Sequence, residues 1–149
     1  MNNNKMKILI LCTGNSCRSQ MAEGFFRRYL HDRGLLDAAY AVRSAGLDPG
    51  GVHPLAIRVM AEVDIDISHQ TSKHLERFVN EEFDYIITVC DNAAAKCPVF
   101  PGPGTRLHWP FDDPAKAAGS DDEILTVFRK VRDEMSEKIS RWLNEILSA

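Results

Sequence analysis

An α/β fold is predicted for this chain: a single domain over residues 1–149, built on a four-stranded parallel sheet with helices on both faces. Three observations lead there. Strand-type and helix-type patterns alternate along the sequence, the order that builds parallel sheets. The first strand candidate, Ile8-Leu9-Ile10-Leu11, is a continuous apolar run, as in strands covered on both faces. Finally, 149 residues with 44% hydrophobic and 26% charged side chains suit one ordinary globular core, and no repeat, low-complexity tract or linker divides them.

Lys7 to Leu11 is the first strand. Ser19 to about Arg33 follows as a helix, with Met21, Ala22, Phe25, Phe26, Tyr29 and Leu30 at helical spacing and Gly34 as its stop. Ala38 to Ser44 is the second strand, closed by Gly46 and the Asp48-Pro49-Gly50-Gly51 turn cluster. Pro54 to Val63 is helical, with Leu55, Ile57, Val59 and Met60 as its apolar positions. Ser68 or Ser72 is the expected cap of a short helix carrying Leu75, Phe78 and Val79. Asp84 to Val89 is the third strand, where Tyr85, Ile86, Ile87 and Val89 favour β structure. Asp91 to Lys96 offers helix formers until Pro98 stops them. Thr105 to Trp109 is the last strand, and Phe111-Asp112-Asp113-Pro114 a turn-rich loop. Ser120-Asp121-Asp122-Glu123 is a capping box. It opens a final helix to about Leu147, with Ile124, Phe128, Val131, Met135, Ile139, Trp142 and Ile146 on one stripe.

In such sheets ligands bind at the carboxyl ends of the strands. Cys12, Ser44, Cys90 and Asp113 all fall near that edge. The richest stretch there is Cys12-Thr13-Gly14-Asn15-Ser16-Cys17-Arg18-Ser19, between the first strand and the first helix. A tight loop in this position gathers backbone N–H groups into one concavity, to which the helix dipole adds partial positive charge. Arg18 supplies a planar fork of donors suited to a tetrahedral oxyanion. A thiol at Cys12, on the floor of that trap, is expected to ionise easily. The loop reads as a nucleophilic cysteine facing a phosphate-like anion, against the plainer alternative of a buried strand end followed by a solvated arginine.

A net charge of −3 with scattered Lys and Arg gives no reason to expect nucleic acid or an anionic membrane as partner. No apolar run reaches the ~18–20 residues of a membrane span, and no signal-peptide core follows the polar start. A cytoplasmic protein is expected. Four cysteines in that setting are poor candidates for structural disulfides. Positions 12, 17, 90 and 97 contain no Cys-x2-Cys pair, so no metal site is expected. Catalytic or redox use is the better reading, with a small buried hydrophobe the alternative for Cys90 or Cys97.

The string Cys-Thr-Gly-Asn-Ser-Cys-Arg-Ser-Gln-Met-Ala-Glu resembles the phosphate loop of the low-molecular-weight tyrosine phosphatase superfamily, and so implies a phosphatase-like version of the fold. Ser44-Ala45-Gly46, Val63-Asp64-Ile65-Asp66-Ile67-Ser68, the pair Cys90 and Cys97, and His108-Trp109-x-Phe111-Asp112-Asp113-Pro114 extend the likeness to the thioredoxin-coupled arsenate reductases within it. That resemblance implies a three-thiol relay. Cys12 attacks arsenate held by the amides of Thr13, Gly14, Asn15, Ser16 and Cys17 and by Arg18; Asp113 protonates the departing oxygen, and Ser19 supports the thiolate. Cys90 attacks Cys12 as arsenite leaves, Cys97 attacks Cys90, and thioredoxin, the reductant in place of any tightly bound cofactor, reduces the Cys90–Cys97 bond. Cys17 has no assigned step, and Asp112 reads as an exposed turn residue.

The same Cys12, Arg18 and Asp113 would serve a tyrosine or small-molecule phosphatase, and weak phosphatase activity is compatible with the relay. A thiol-based arsenic or redox sensor is a third reading, one that leaves Arg18 and Asp113 idle. Two further expectations concern particular segments. Potassium-binding members of the family carry an acidic residue where this chain has Lys73, so no potassium site is expected, and Lys73 is placed to bridge to Glu23. A helix over 90–97 separates its ends by ~10 Å along the axis, so it cannot coexist with a Cys90–Cys97 disulfide, and oxidation is expected to unwind it.

Overall fold

The computed structural model describes residues 5–90 and 99–148. The element order is β1 (Met6–Leu11), α1 (Arg18–Asp32), β2 (Tyr40–Ala45), α2 (Pro54–Ala61), a one-turn 3-10 helix (Leu75–Phe78), β3 (Tyr85–Thr88), β4 (Thr105–His108), a 3-10 turn (Pro114–Lys116) and α3 (Asp121–Leu147). The four strands are all parallel in the order β2-β1-β3-β4, with Leu11 opposite Ala45 on one side and Thr88 on the other. The expected class is present, and each predicted strand lies within a residue or two of its place.

β1 is central, and Ile8 to Leu11 are all fully buried, as the unbroken apolar run requires. Alternate side chains divide between two layers. Ile8 and Ile10 pack with α1, α2 and α3; Leu9 and Leu11 face the smaller cluster of Leu75, Phe78, Phe83 and Phe100. Helices therefore cover both faces unequally among the described residues: the three α-helices take one, and the short 3-10 helix Leu75–Phe78 the other. The helix expected over Asp91 to Lys96 lies outside the described residues, as does its expected unwinding on oxidation.

Two local expectations need correction. The 3-10 helix is capped by His74, whose Nδ1 accepts from the Glu76 N–H, and not by either serine. Ser68 is held by Asp66, and Ser72 is turned to the loop after β1. In α3 the capping box forms between Ser120 and Glu123 as expected. The buried stripe, however, is Leu125, Phe128, Val131, Arg132, Met135, Ile139 and Leu143, with Ile124, Trp142 and Ile146 at its margins. Leu125 and Leu143 lie about five turns apart, so they share one face at 3.6 residues per turn. A helix seated on both α1 and α2 buries the face between its partners, rather than the strongest apolar line in its own sequence.

Glu62, at the end of α2, ties that helix to α3. It takes three bonds from Arg129, from Nε at 2.9 Å and 3.2 Å and from Nη2 at 2.8 Å, and one from Arg132 Nη1 at 2.7 Å. Those bonds, the one from Arg129 foremost, lower its carboxyl from 4.5 to about 2. A depressed carboxyl contributes stability that is complete above its ordinary value and fades as pH falls toward the folded one. Glu62→Gln is therefore expected to lower Tm by about 3 °C at pH 7, a modest figure because a partly exposed pair is screened. The gap to wild type should close between pH 4.5 and pH 2; a gap constant with pH would assign the loss to something other than this carboxylate.

Candidate active site

The chain enters β1, goes to β2 on one side, and returns to β3 on the other. The carboxyl ends of β1 and β3 therefore flank the point where strand order reverses, the natural crevice of an open parallel sheet. Cys12 is the first residue past β1, its N–H still bonded to Ala45 at 3.2 Å. Beyond it the carbonyls turn outward. Thr13 O accepts from Leu47 and Asp48 at 2.8 Å and 2.9 Å, Gly14 O from Gly50 at 3.2 Å, and Ser16 O from His53 at 3.0 Å. Asn15 O accepts from Gln20 Nε2 at 3.0 Å and from the Ser72 hydroxyl. Across a trans peptide the carbonyl and the next N–H point opposite ways. The N–H groups of Gly14, Asn15, Ser16 and Cys17 are thus directed away from those outer partners, and none donates to another group among the described residues. Asn15, at φ 46°, supplies the left-handed step that curls the backbone into such a nest. These N–H groups therefore face one concavity above Cys12.

Below it runs a buried hydrogen-bond chain whose direction can be assigned. Glu23 Oε1 accepts from Ser44 Oγ at 2.5 Å. The amide of Asn15 donates to Ser44 Oγ at 2.9 Å and to Ser19 Oγ at 2.8 Å. Its own oxygen accepts from the Lys73 N–H at 2.8 Å, which fixes the amide's orientation. Ser19, receiving from Asn15, has its hydroxyl hydrogen left for Cys12 Sγ, 2.9 Å away. The chain thus ends in a donor aimed at the Cys12 sulfur.

Arg18 is buried, and its guanidinium faces the loop after β4: Nη1 donates to the Phe111 carbonyl at 3.1 Å, and Nη2 lies 3.5 Å from Asp113 Oδ2. Asp113 Oδ1 caps the following 3-10 turn through the Ala115 N–H at 3.0 Å. Trp109, Phe111 and Pro114 are buried beside it, with Trp109 seated against Phe26 and Trp142. An aromatic anchor thus holds Asp113 at the rim of the cradle, while Asp112 is exposed. Cys17 is buried and its thiol is pushed up to about 12, first by burial and then by the charges of Asp113 and Cys12. It stays a neutral thiol, and only its backbone serves the cradle.

Cys90 is fully buried in the same core cluster as Cys12. Cys90 lies two residues past β3, beyond Val89, whose N–H bonds to Leu11 O at 2.9 Å. Cys97 lies outside the described residues. Among those residues, no group of three or more His, Cys, Asp or Glu side chains is placed to hold a metal ion.

The expected Lys73–Glu23 bridge does not form. Glu23 pairs with Arg27 at 2.8 Å, and the Lys73 ammonium donates to the Thr71 carbonyl. Sequence reasoning also missed Gln20 and Ser72 as struts of the loop, His53 as both strut and cap of α2, and above all Gly46. A Cβ at Gly46 would lie 2.5 Å from Cys12 O, 2.6 Å from Thr13 O and 2.9 Å from Asn15 N. The signals were a glycine directly after a strand and its place in the Ser44-Ala45-Gly46 segment of the resemblance.

Comparison with known proteins agrees with this construction. The model of low molecular weight phosphotyrosine protein phosphatases matches residues 7–149. An arsenate reductase of Halalkalibacterium halodurans is 48% identical over 136 residues, covering 91% of this chain and 94% of its own. Among solved structures, an arsenate reductase in the phosphate-binding state aligns with a TM-score of 0.75 and 36% identity, over 95% of this chain and 98% of its own. A thioredoxin-dependent arsenate reductase of Corynebacterium glutamicum aligns at 0.65 and 27% identity, over 100% of this chain and 66% of its own. The chain belongs to the low molecular weight phosphotyrosine protein phosphatase family, on the branch of the arsenate reductases.

Proposed function

We propose that this protein is a cytoplasmic enzyme of arsenic detoxification that reduces arsenate to arsenite through Cys12, Cys90 and Cys97, with thioredoxin as the final reductant and no tightly bound cofactor. The observation that carries the reading is the placement of two buried cysteines past adjacent parallel strands, one of them on the floor of an anion cradle. The arsenate reductase relatives, one of them thioredoxin-dependent, support it.

Arsenate enters the nest of Thr13 to Cys17 and engages Arg18. That draws the guanidinium from Asp113, leaving the carboxyl to supply a proton to the departing oxygen. The Cys12 thiolate forms a sulfur–arsenic bond, and one oxygen leaves as water. The Cys90 thiolate then attacks the Cys12 sulfur. The sulfur–arsenic bonding pair stays with arsenic, which departs as arsenite, and a Cys12–Cys90 disulfide remains. Cys97 attacks Cys90 and regenerates Cys12 as thiolate, a leaving group the cradle and Ser19 stabilise. A thioredoxin dithiol reduces the Cys90–Cys97 bond and takes up the oxidation.

Phosphatase chemistry needs only Cys12, Arg18 and Asp113 and leaves Cys90 and Cys97 unused. Thiol counting separates the readings: a reductase loses two thiols per arsenite formed, a phosphatase none, and a sensor binds arsenite without turnover. Arsenite release assayed with and without thioredoxin tests the proposal, multiple turnover being expected only with it.

Ser19 carries its own expected outcome. A hydrogen bond to a charged sulfur is worth about 1.5–3 kcal/mol. Ser19→Ala should therefore slow alkylation of Cys12 by iodoacetamide at neutral pH by about 10-fold or more, with arsenate kcat falling in parallel and KM little changed. Unchanged alkylation would remove Ser19 from the support of the thiolate.

A further inference from the structure

A second basin opens on the far side of the buried hydrogen-bond chain from Cys12. Its volume is about 320 Å3, and its lining includes Glu23, Arg27, Arg43, Lys73, Arg77 and Phe78, but none of Cys12, Arg18 and Asp113. Three arginines and a lysine meet there with one carboxylate. That carboxylate is already committed, with Glu23 Oε1 accepting from Ser44 and Oε2 from Arg27. Arg27 and Arg43 both donate to the Val42 carbonyl, at 3.1 Å and 3.0 Å, so two guanidinium groups crowd one neutral acceptor. Arg77 makes no ion pair among the described residues. The Lys73 ammonium is pushed down by its burial, an effect the charge of Glu23 opposes and the charges of Arg77, Arg27 and Arg43 deepen.

Like charges gathered in this way repel one another, and an anion seated among them removes that repulsion. The space corresponds to roughly ten water molecules, more than a monatomic ion fills. Guanidinium forks match pairs of phosphate oxygens, and the ammonium adds a point charge. We propose that this basin binds a multiply charged phosphate chain, a di- or triphosphate, at a site distinct from the cradle at Cys12. This inference does not depend on arsenate chemistry. The basin meets the chain beneath Cys12 through Glu23 and through the Lys73 backbone N–H on Asn15, and neither Arg43 nor Arg77 bonds to that chain, so these two can be altered without removing a bond beneath Cys12.

The test is a titration of the full chain with inorganic tripolyphosphate at constant ionic strength, followed by backbone amide shifts. Saturable shifts at residues 69–73 and at Arg77 are expected in wild type. They should require ~10-fold more ligand in Arg43→Ser/Arg77→Ser, which removes two charge-assisted contacts, while shifts at Gly14 to Cys17 respond alike in both proteins. Should the double variant melt early, Arg77→Ser alone, an exposed side chain, should still weaken the basin's response. A parallel titration with adenosine triphosphate identifies the source: tighter binding than tripolyphosphate means a nucleotide, and equal or weaker binding a bare phosphate chain. Shifts confined to residues 13–19, basin shifts unaltered by the variants, or the same shifts produced by sodium chloride would overturn the site.

Discussion

Replacing Cys12 with serine is expected to abolish arsenate reduction together with any phosphatase turnover, because the sulfur forms the covalent bond in either chemistry. The loss should be several orders of magnitude in kcat, with a folded protein, since serine is nearly isosteric and Ser19 remains to bond it. Cys90→Ser should behave differently. It leaves the cradle, Arg18 and Asp113 in place, so phosphate-ester cleavage persists at its original rate while multiple-turnover arsenate reduction disappears. The pair of variants separates the two halves of the relay. Full reductase turnover in Cys90→Ser, measured by arsenite release with thioredoxin present, would contradict the assignment of the second thiol.

Gly46→Ala is expected to have the next largest effect, although Gly46 carries no chemistry. Its missing side chain is the space against which the loop's outer wall is built, with the Cys12 and Thr13 carbonyl oxygens and the Asn15 backbone nitrogen packed against it. Neither side can yield cheaply. Gly46 is bonded through its N–H to Lys73 O at 2.9 Å and through its carbonyl to the Leu75 N–H at 2.9 Å. A methyl group there must push the loop by a sizeable fraction of an ångström, and misplacement on that scale costs roughly 100-fold in rate. Overpacking of this kind also costs about 1–3 kcal/mol of stability. The measurement is kcat/KM beside a melting curve. Activity within threefold of wild type at an unchanged Tm would show that the wall is softer than its backbone contacts imply.

How far the sequence foretold this site depends on how local each feature is. The strand–loop–helix around Cys12, the capping box at Ser120 and the unbroken strand Ile8 to Leu11 are set by neighbours within a few residues, and all were legible. Asp113 was found through the proline after it and the motif it resembles, but its bond to Arg18 spans 95 positions and leaves no local trace. The direction of the chain from Glu23 through Ser44 and Asn15 to Ser19 also appears only when three elements meet. Lys73 shows the limit well. Its nearness to Glu23 was inferred correctly, since the charge of Glu23 opposes the burial that pushes the ammonium down, yet Arg27 is four residues from Glu23 on the same helix and takes the carboxylate first. Burial in α3 shifted for a related reason: the partners of a helix, not its own periodicity, choose among neighbouring apolar lines.

The proposed relay reduces arsenate with electrons from this chain's own thiols, the oxidation passing outward in the order Cys12, Cys90, Cys97. It is tested most directly by a single-turnover reaction without thioredoxin, quenched by alkylation and mapped by mass spectrometry, with arsenite counted in the same sample. The relay predicts one arsenite for every two thiols lost, the disulfide joining Cys90 to Cys97 in the wild-type chain and Cys12 to Cys90 in Cys97→Ser. Arsenite formed with every thiol still alkylatable, or a disulfide that excludes Cys90, would contradict it.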